Sequence, residues 1–149
     1  MEKSGAAMIA EFVLDCSVTM TWFFAHEASP ETDKLLAAIG GAGRAMVPQH
    51  WRIELGNVLL VAERRKEKSQ ADSTQFVGLL QCLNIAIDEE TTAHALGGAL
   101  NLARDHKLTL YDACYLELAL RRGIPLASLD GDLRSAARKV GVTCLPKQI

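Results

Sequence analysis

Phe12-Val13-Leu14-Asp15-Cys16-Ser17 is the stretch that decides the fold of this chain. Three apolar residues run without a break and end on a carboxylate. A short uninterrupted apolar run reads as a strand buried on both faces, the kind a parallel sheet contains. In open α/β sheets, ligands bind outside the carboxyl ends of the strands. Asp15 therefore stands where a ligand site would form, and three further acids are expected at the same edge: Glu54, Asp112 and Asp130.

Outward from that strand, apolar runs alternate with helical stripes. Ser17 is expected to cap a short helix over 18–25. Ser29-Pro30-Glu31 opens a second helix, with Ser29 as cap and Pro30 at the first helical position, and Gly40-Gly41 stops it. Ala45-Met46-Val47 is a second strand. A long helix follows over 49–65, striped by Trp51, Leu55, Val58, Leu59 and Ala62, with Glu54 at the stripe's edge. The run Arg64 to Lys68 closes it and is expected to be a solvated helix end.

Residues 69–83 predict a helix facing inward through Phe76, Leu79, Leu80 and Leu83, and 84–87 a third strand. Residues 88–105 predict another helix, striped by Ala95, Leu96, Ala99, Leu102 and Ala103 and weakened by Gly97-Gly98. The almost wholly apolar segment from Asp112 to Leu120 is a buried helix that Asp112 is expected to cap. A fourth strand, 125–129, ends on Asp130. A helix striped by Leu133, Ala136, Ala137 and Val140 and a fifth strand, 142–145, complete the pattern. The fold class is α/β: a single domain over 9–149, with a mainly parallel five-stranded sheet flanked by helices, after a flexible extension over 1–8.

The composition suits such a domain. Of 149 residues, 49% are hydrophobic and 23% charged. The formal net charge of -2 is not that of a protein that coats nucleic acid by charge alone. Cys16, Cys82, Cys114 and Cys144 form no C-x-x-C pair and read as small buried hydrophobes, as in a reducing cytoplasm. The first ten residues make a poor signal peptide, and no segment approaches the ~20 apolar residues of a membrane span. The scattered histidines carry no assigned role.

Topology brings the acids together. Asp15 and Asp130 end strands. Glu54 lies early in the helix after the second strand. Asp112 opens the helix that feeds the fourth strand, so its N-terminus must return to the carboxyl edge. Like charges about 4 Å apart cost on the order of 4 kcal/mol per pair at an effective dielectric near 20. Such a cluster calls for protons, basic side chains or a cation. Oxygen-only ligands favour Mg²⁺ or Mn²⁺ over Zn²⁺. Two such ions can activate a water and stabilise the leaving oxygen of a phosphodiester.

At these residues the sequence resembles the PIN-domain family, and within it the VapC-type toxins of toxin–antitoxin pairs. The resemblance rests on Val13-Leu14-Asp15-Cys16-Ser17-Val18 and Glu54-Leu55-Gly56-Asn57. It continues through Leu110-Tyr111-Asp112-Ala113-Cys114-Tyr115-Leu116-Glu117-Leu118-Ala119 and Ser128-Leu129-Asp130-Gly131-Asp132-Leu133. It covers nearly everything from Ile9 onward. Ser128 stands where the family often has threonine, and Cys16 where a small polar residue is common. The resemblance implies a Mg²⁺- or Mn²⁺-dependent endoribonuclease acting on RNA such as tRNA or rRNA, a homodimer, and a VapB-type antitoxin partner. Carried over by position, Asp15, Glu54, Asp112 and Asp130 are the catalytic metal ligands, Ser17 orients the cluster, and Asp132 is an extra acid.

Other functions fit less well. An aspartyl-phosphate phosphatase also places an Asp after its first strand but wants a second Asp two residues later, where this chain has Ser17. A receiver domain would need paired acids and a late lysine. A catalytically silent binding module on the same fold is the alternative from another class, and acids at all four positions weigh against it.

Overall fold

The computed structural model describes residues 10–148. The extension expected over residues 1–8 lies outside them. Five short strands form one sheet in the order β3-β2-β1-β4-β5. They are β1 (Glu11–Leu14), β2 (Arg44–Val47), β3 (Ile85–Ile87), β4 (Leu126–Ala127) and β5 (Cys144–Leu145). Every neighbouring pair is parallel. The expected sheet is present, with strands trimmed at their ends.

β1 is the central strand. Phe12, Val13 and Leu14 are wholly buried, as a run without polar alternation requires. Each such side chain contributes roughly 1.5–3 kcal/mol of burial free energy. From β1 the chain steps to β2 and β3 on one side, then crosses to β4 and β5 on the other. The strand order therefore reverses between β1 and β4, and the carboxyl ends of those two strands flank a crevice. Val13 pairs with Met46 on one side and with Leu126 on the other, so the three central strands end level.

The first helix, α1 (Cys16–Thr19), starts earlier than a Ser17 cap would place it, because Asp15 is the cap residue. The Ser17 hydroxyl is not spent on capping. It donates instead to the Asp15 carboxylate. α2 (Pro30–Gly40) carries the expected Ser29 cap, strengthened by a reciprocal bond from Thr32. α3 (Trp51–Arg64) buries Trp51, Leu55, Leu59 and Ala62. At its end, Arg64 and Arg65 are exposed, as a solvated helix end should be. α4 (Gln70–Gln81) buries Phe76 and Leu80, but Leu79 faces solvent. A helix packed along one side can bury residues four apart while turning their neighbour outward. Cys82 at the C-terminus of α4 is exposed, whereas Cys16, Cys114 and Cys144 are buried.

The helix expected over 88–105 is three pieces: α5 (Thr91–His94), a π-helical segment (Ala95–Ala99) and α6 (Leu100–His106). The wider π turn shifts the register of the stripe. Leu96 swings into solvent, 81% exposed, and the small Gly98 comes to lie against Glu117. Asp88 precedes this helix instead of joining it. α7 (Leu110–Arg122) is buried through its middle, as its apolar sequence demands, and Gly123 ends it in the left-handed region. α8 (Gly131–Lys139) buries Leu133, Ala136 and Ala137.

Two arginines lock the scaffold. Arg121 on α7 grips Asp88 through two bonds, of 2.6 and 3.2 Å, and Glu117 through two more, of 2.9 and 3.0 Å. Arg134 on α8 is 1% exposed. It donates to the carbonyls of Ser128 at 2.9 Å and Pro146 at 2.7 Å, fixing the loop after β4 to the C-terminal segment. Asp88 and Glu117 are both buried, so removing their common partner strands two carboxylates. Arg121→Ala should cost on the order of 3 kcal/mol in urea unfolding. Adding Asp88→Asn and Glu117→Gln should recover much of that loss.

Candidate active site

Asp15 follows β1 directly and is 6% exposed. Its amide donates to the Ala127 carbonyl at 3.0 Å, which continues the β1–β4 ladder to the sheet edge. Two hydroxyls meet on Asp15 Oδ2, Ser17 Oγ and Ser128 Oγ, each at 2.7 Å. They come from opposite sides of the crevice. Ser17 Oγ also accepts from the Leu129 amide at 2.9 Å, and Ser128 Oγ from the Asp130 amide at 3.1 Å. The loop after β4 is thereby stitched to the start of α1.

Glu54 projects from the first turn of α3. One of its oxygens accepts a hydrogen bond from the Tyr115 hydroxyl, and His50 Nε2 stands 4.0 Å away. Asp112 sits in the first turn of α7, but it is not the cap. The cap is Thr109, whose hydroxyl accepts from the Asp112 amide at 3.1 Å. The Asp112 carboxylate is thus not spent on capping the helix. Asp130 caps α8 through one oxygen, which accepts from the Leu133 amide at 2.9 Å.

The electrostatics record the convergence of these four groups. Burial pushes the Asp112 carboxyl up to about 6, reinforced by the charges of Asp15, Asp130 and Glu54 in that order. Burial also raises Asp15, with Glu54 adding to the effect, while the Ser17 and Ser128 hydroxyls pull the other way. Next to Asp15, burial and the charges of Asp15 and Glu54 push the Cys16 thiol up to about 12. The Cys114 thiol is pushed up to about 11, chiefly by burial. Both thiols stay neutral at physiological pH.

Asp132 is exposed on the first turn of α8, and its charge is not among those that raise Asp15 or Asp112. Three residues of the site have roles that the sequence did not assign, although Tyr115 and Ser128 lie inside the quoted motifs. Tyr115 holds Glu54, Ser128 holds Asp15, and His50 borders Glu54. Spacing offered a signal for two of them: His50 lies one turn before Glu54, and Tyr115 lies one turn after Asp112 on a common helix face.

Residues 12–139 match the family described as PIN domain. The chain belongs to the PIN domain family. No curated protein matches it. Among solved structures, the PIN domain is similar to PAE2754 from Pyrobaculum aerophilum, at 22% identity and a TM-score of 0.64 over 92% of both chains. It is also similar to a toxin–antitoxin complex from Klebsiella pneumoniae, at 15% identity and a TM-score of 0.53 over 83% of this chain and 90% of that one. At these identities the likeness is one of fold. PIN domains are in general nucleases, and PIN nucleases generally use divalent metals.

The donor set of this PIN domain suits such an ion. Among the described residues, no Lys or Arg forms an ion pair with any of the four acids. The acids are hard oxygen donors, and their charges add to the raised proton affinity of Asp15 and Asp112. They do not make a closed shell, for among the described residues no three His, Cys, Asp or Glu side chains are grouped tightly enough to hold an ion by themselves. Mg²⁺ does not require one, since it keeps several waters and binds through one or two carboxylates plus substrate phosphates.

The raised Asp112 has a stability consequence. A carboxyl raised in the fold favours the protonated native state, so its contribution is present below the ordinary carboxylate pKa and lost as pH rises through about 6. In EDTA, Asp112→Asn should match the wild type near pH 4 and exceed its stability at neutral pH. The gain, discounted for solvent screening, is on the order of 1 kcal/mol. Thermal unfolding of both proteins across that pH range checks the sign.

Proposed function

We propose that this PIN domain is a Mg²⁺- or Mn²⁺-dependent endoribonuclease and the toxin of a VapBC-type toxin–antitoxin pair. The observation that carries the reading is the field at Asp112: carboxylates far apart in sequence gather at one sheet edge, and among the described residues none has a Lys or Arg partner. Asp15, Glu54, Asp112 and Asp130 are the residues that would hold the ion. When bound, a hard dication supplies Lewis-acid stabilisation of phosphodiester charge and a more acidic water.

The chain's own residues set the rest. Ser17 and Ser128 fix the Asp15 carboxylate by one oxygen and leave its other oxygen without a hydroxyl partner. Tyr115 holds Glu54 against the wall of the cleft. Asp130 keeps one oxygen for capping, so only its other faces the crevice freely.

The toxin assignment is supported by the ordered set of four motifs and by a fold shared with a toxin–antitoxin complex. It brings with it a VapB-type antitoxin, a homodimer and an RNA substrate in the cytoplasm. No helix among the described residues is long and apolar enough to cross a membrane.

Purified chain freed of antitoxin should cut RNA with Mg²⁺ or Mn²⁺ and stop on addition of EDTA. Asp15→Asn and Asp112→Asn should each lower cleavage on the order of a thousandfold with the far-UV circular dichroism unchanged. Ser128→Ala should act more mildly, about 10–100-fold, as the loss of a group that orients a ligand. Undiminished cleavage by Asp15→Asn would defeat this mechanism.

A further inference from the structure

Tyr111 lies directly before Asp112 and is 64% exposed, an unusual position for a large ring at the mouth of an acidic cleft. The ring is not loose. His50 Nε2 is 3.0 Å from the Tyr111 carbonyl, and the two rings meet edge to face with centroids 5.7 Å apart. His50 in turn packs edge-on against Tyr115 at 5.2 Å and stands beside Glu54. Tyr111 is thus one side chain removed from Glu54, braced by the His50 ring and with much of its surface open to solvent.

The chain that leads into Tyr111 carries two cations, with the exposed Asp105 between them. Arg104 and Lys107, both exposed, lie at the end of α6, just before the Thr109 cap of α7. That end of α6 is at the carboxyl edge of the sheet, because α7 begins there. An exposed aromatic ring at the same sheet edge as basic side chains is an arrangement that can receive a base and its phosphate backbone in single-stranded nucleic acid. A duplex keeps its bases stacked on one another and offers none to such a ring.

Resting on the nuclease reading, the geometry points to Tyr111 as a nucleobase platform at the acidic cleft, whose ring takes one unpaired base of the strand next to the cut. Its role is to position the strand over the acids. It makes no bond in the chemical step.

Fluorescence anisotropy with a fluorescein-labelled single-stranded RNA decamer tests the platform, in the Asp15→Asn background with Mg²⁺ so that turnover is suppressed. Adding Tyr111→Ala should weaken binding about tenfold, the scale of one lost stack. Tyr111→Phe and Tyr111→Trp should restore it. The difference should vanish when the decamer is annealed to its complement. Equal affinity with and without Tyr111→Ala, including no measurable binding by either, overturns the platform. Cleavage by the wild-type chain is scored separately. An inactive chain whose binding depends on Tyr111 loses the nuclease and keeps the platform, and an active chain indifferent to Tyr111 does the reverse.

Discussion

A carboxylate sealed at the end of the central strand, with no basic partner, is the constraint on which this structure depends. Burying a lone charge costs several kcal/mol even after relaxation. Hydrogen bonds to a charged group return about 1.5–3 kcal/mol each. Asp15 has two such bonds from hydroxyls, and its pKa is still raised, so burial wins. What the fold does is hold the group in place despite that. Arg134 clamps the Ser128 carbonyl, Ser128 donates to Asp15, and Ser17 ties the same carboxylate to Leu129. A fault anywhere along that line would let the crevice between β1 and β4 open or slip.

Helix ends soften the crowding without removing it. Glu54 and Asp112 lie in the first turns of α3 and α7, and Asp130 caps α8. Each helix N-terminus favours a nearby anion by about 0.3–1 kcal/mol. Repulsion between close carboxylates runs to several times that per pair. Three dipoles therefore offset only part of the repulsion, and Asp112 stays well above the ordinary carboxylate range. The acids are carried on strand ends and first helical turns, not on long loops, so they cannot relax apart without disturbing packed elements.

Much of this was legible in the sequence. Unbroken apolar runs gave the strands, and their alternation with helical stripes gave a parallel sheet. The rule that a helix after a strand begins at the carboxyl edge then brought Glu54 and Asp112 toward Asp15. What escaped were the choices made by polar side chains with two local options. Ser17 is a good cap by type, yet its hydroxyl is taken by Asp15 and Leu129. Asp112 is also a good cap by type, yet Thr109 fills that place three residues earlier. Leu96 fits a stripe of period 3.6, but the π turn adds a residue and rotates it outward. Leu79 shows that an apolar residue beside a stripe need not be in it. The partnerships of Tyr115 with Glu54 and of Ser128 with Asp15 span 61 and 113 residues, where no local pattern reports contact.

Asp88 shows why position and residue type do not by themselves make an acid functional. It follows β3 as Asp15 follows β1, at the same edge of the same sheet, and both are 6% exposed. Burial alone would raise Asp88 as it raises Asp15. The Arg121 guanidinium reverses the outcome, and Asp88 lies below the ordinary carboxylate range. Its charge is matched by a cation on α7 and its oxygens are taken by Arg121, Thr91 and the Glu90 amide. Such an acid is a fastener, with no capacity left for an ion or a substrate. Asp15 is surrounded by neutral hydroxyls and other acids, so its charge stays unmatched within the protein. The sheet thus carries one aspartate whose field is cancelled and one whose field is left standing. A site for a hard cation follows from the second, because the protein itself supplies no counter-charge there.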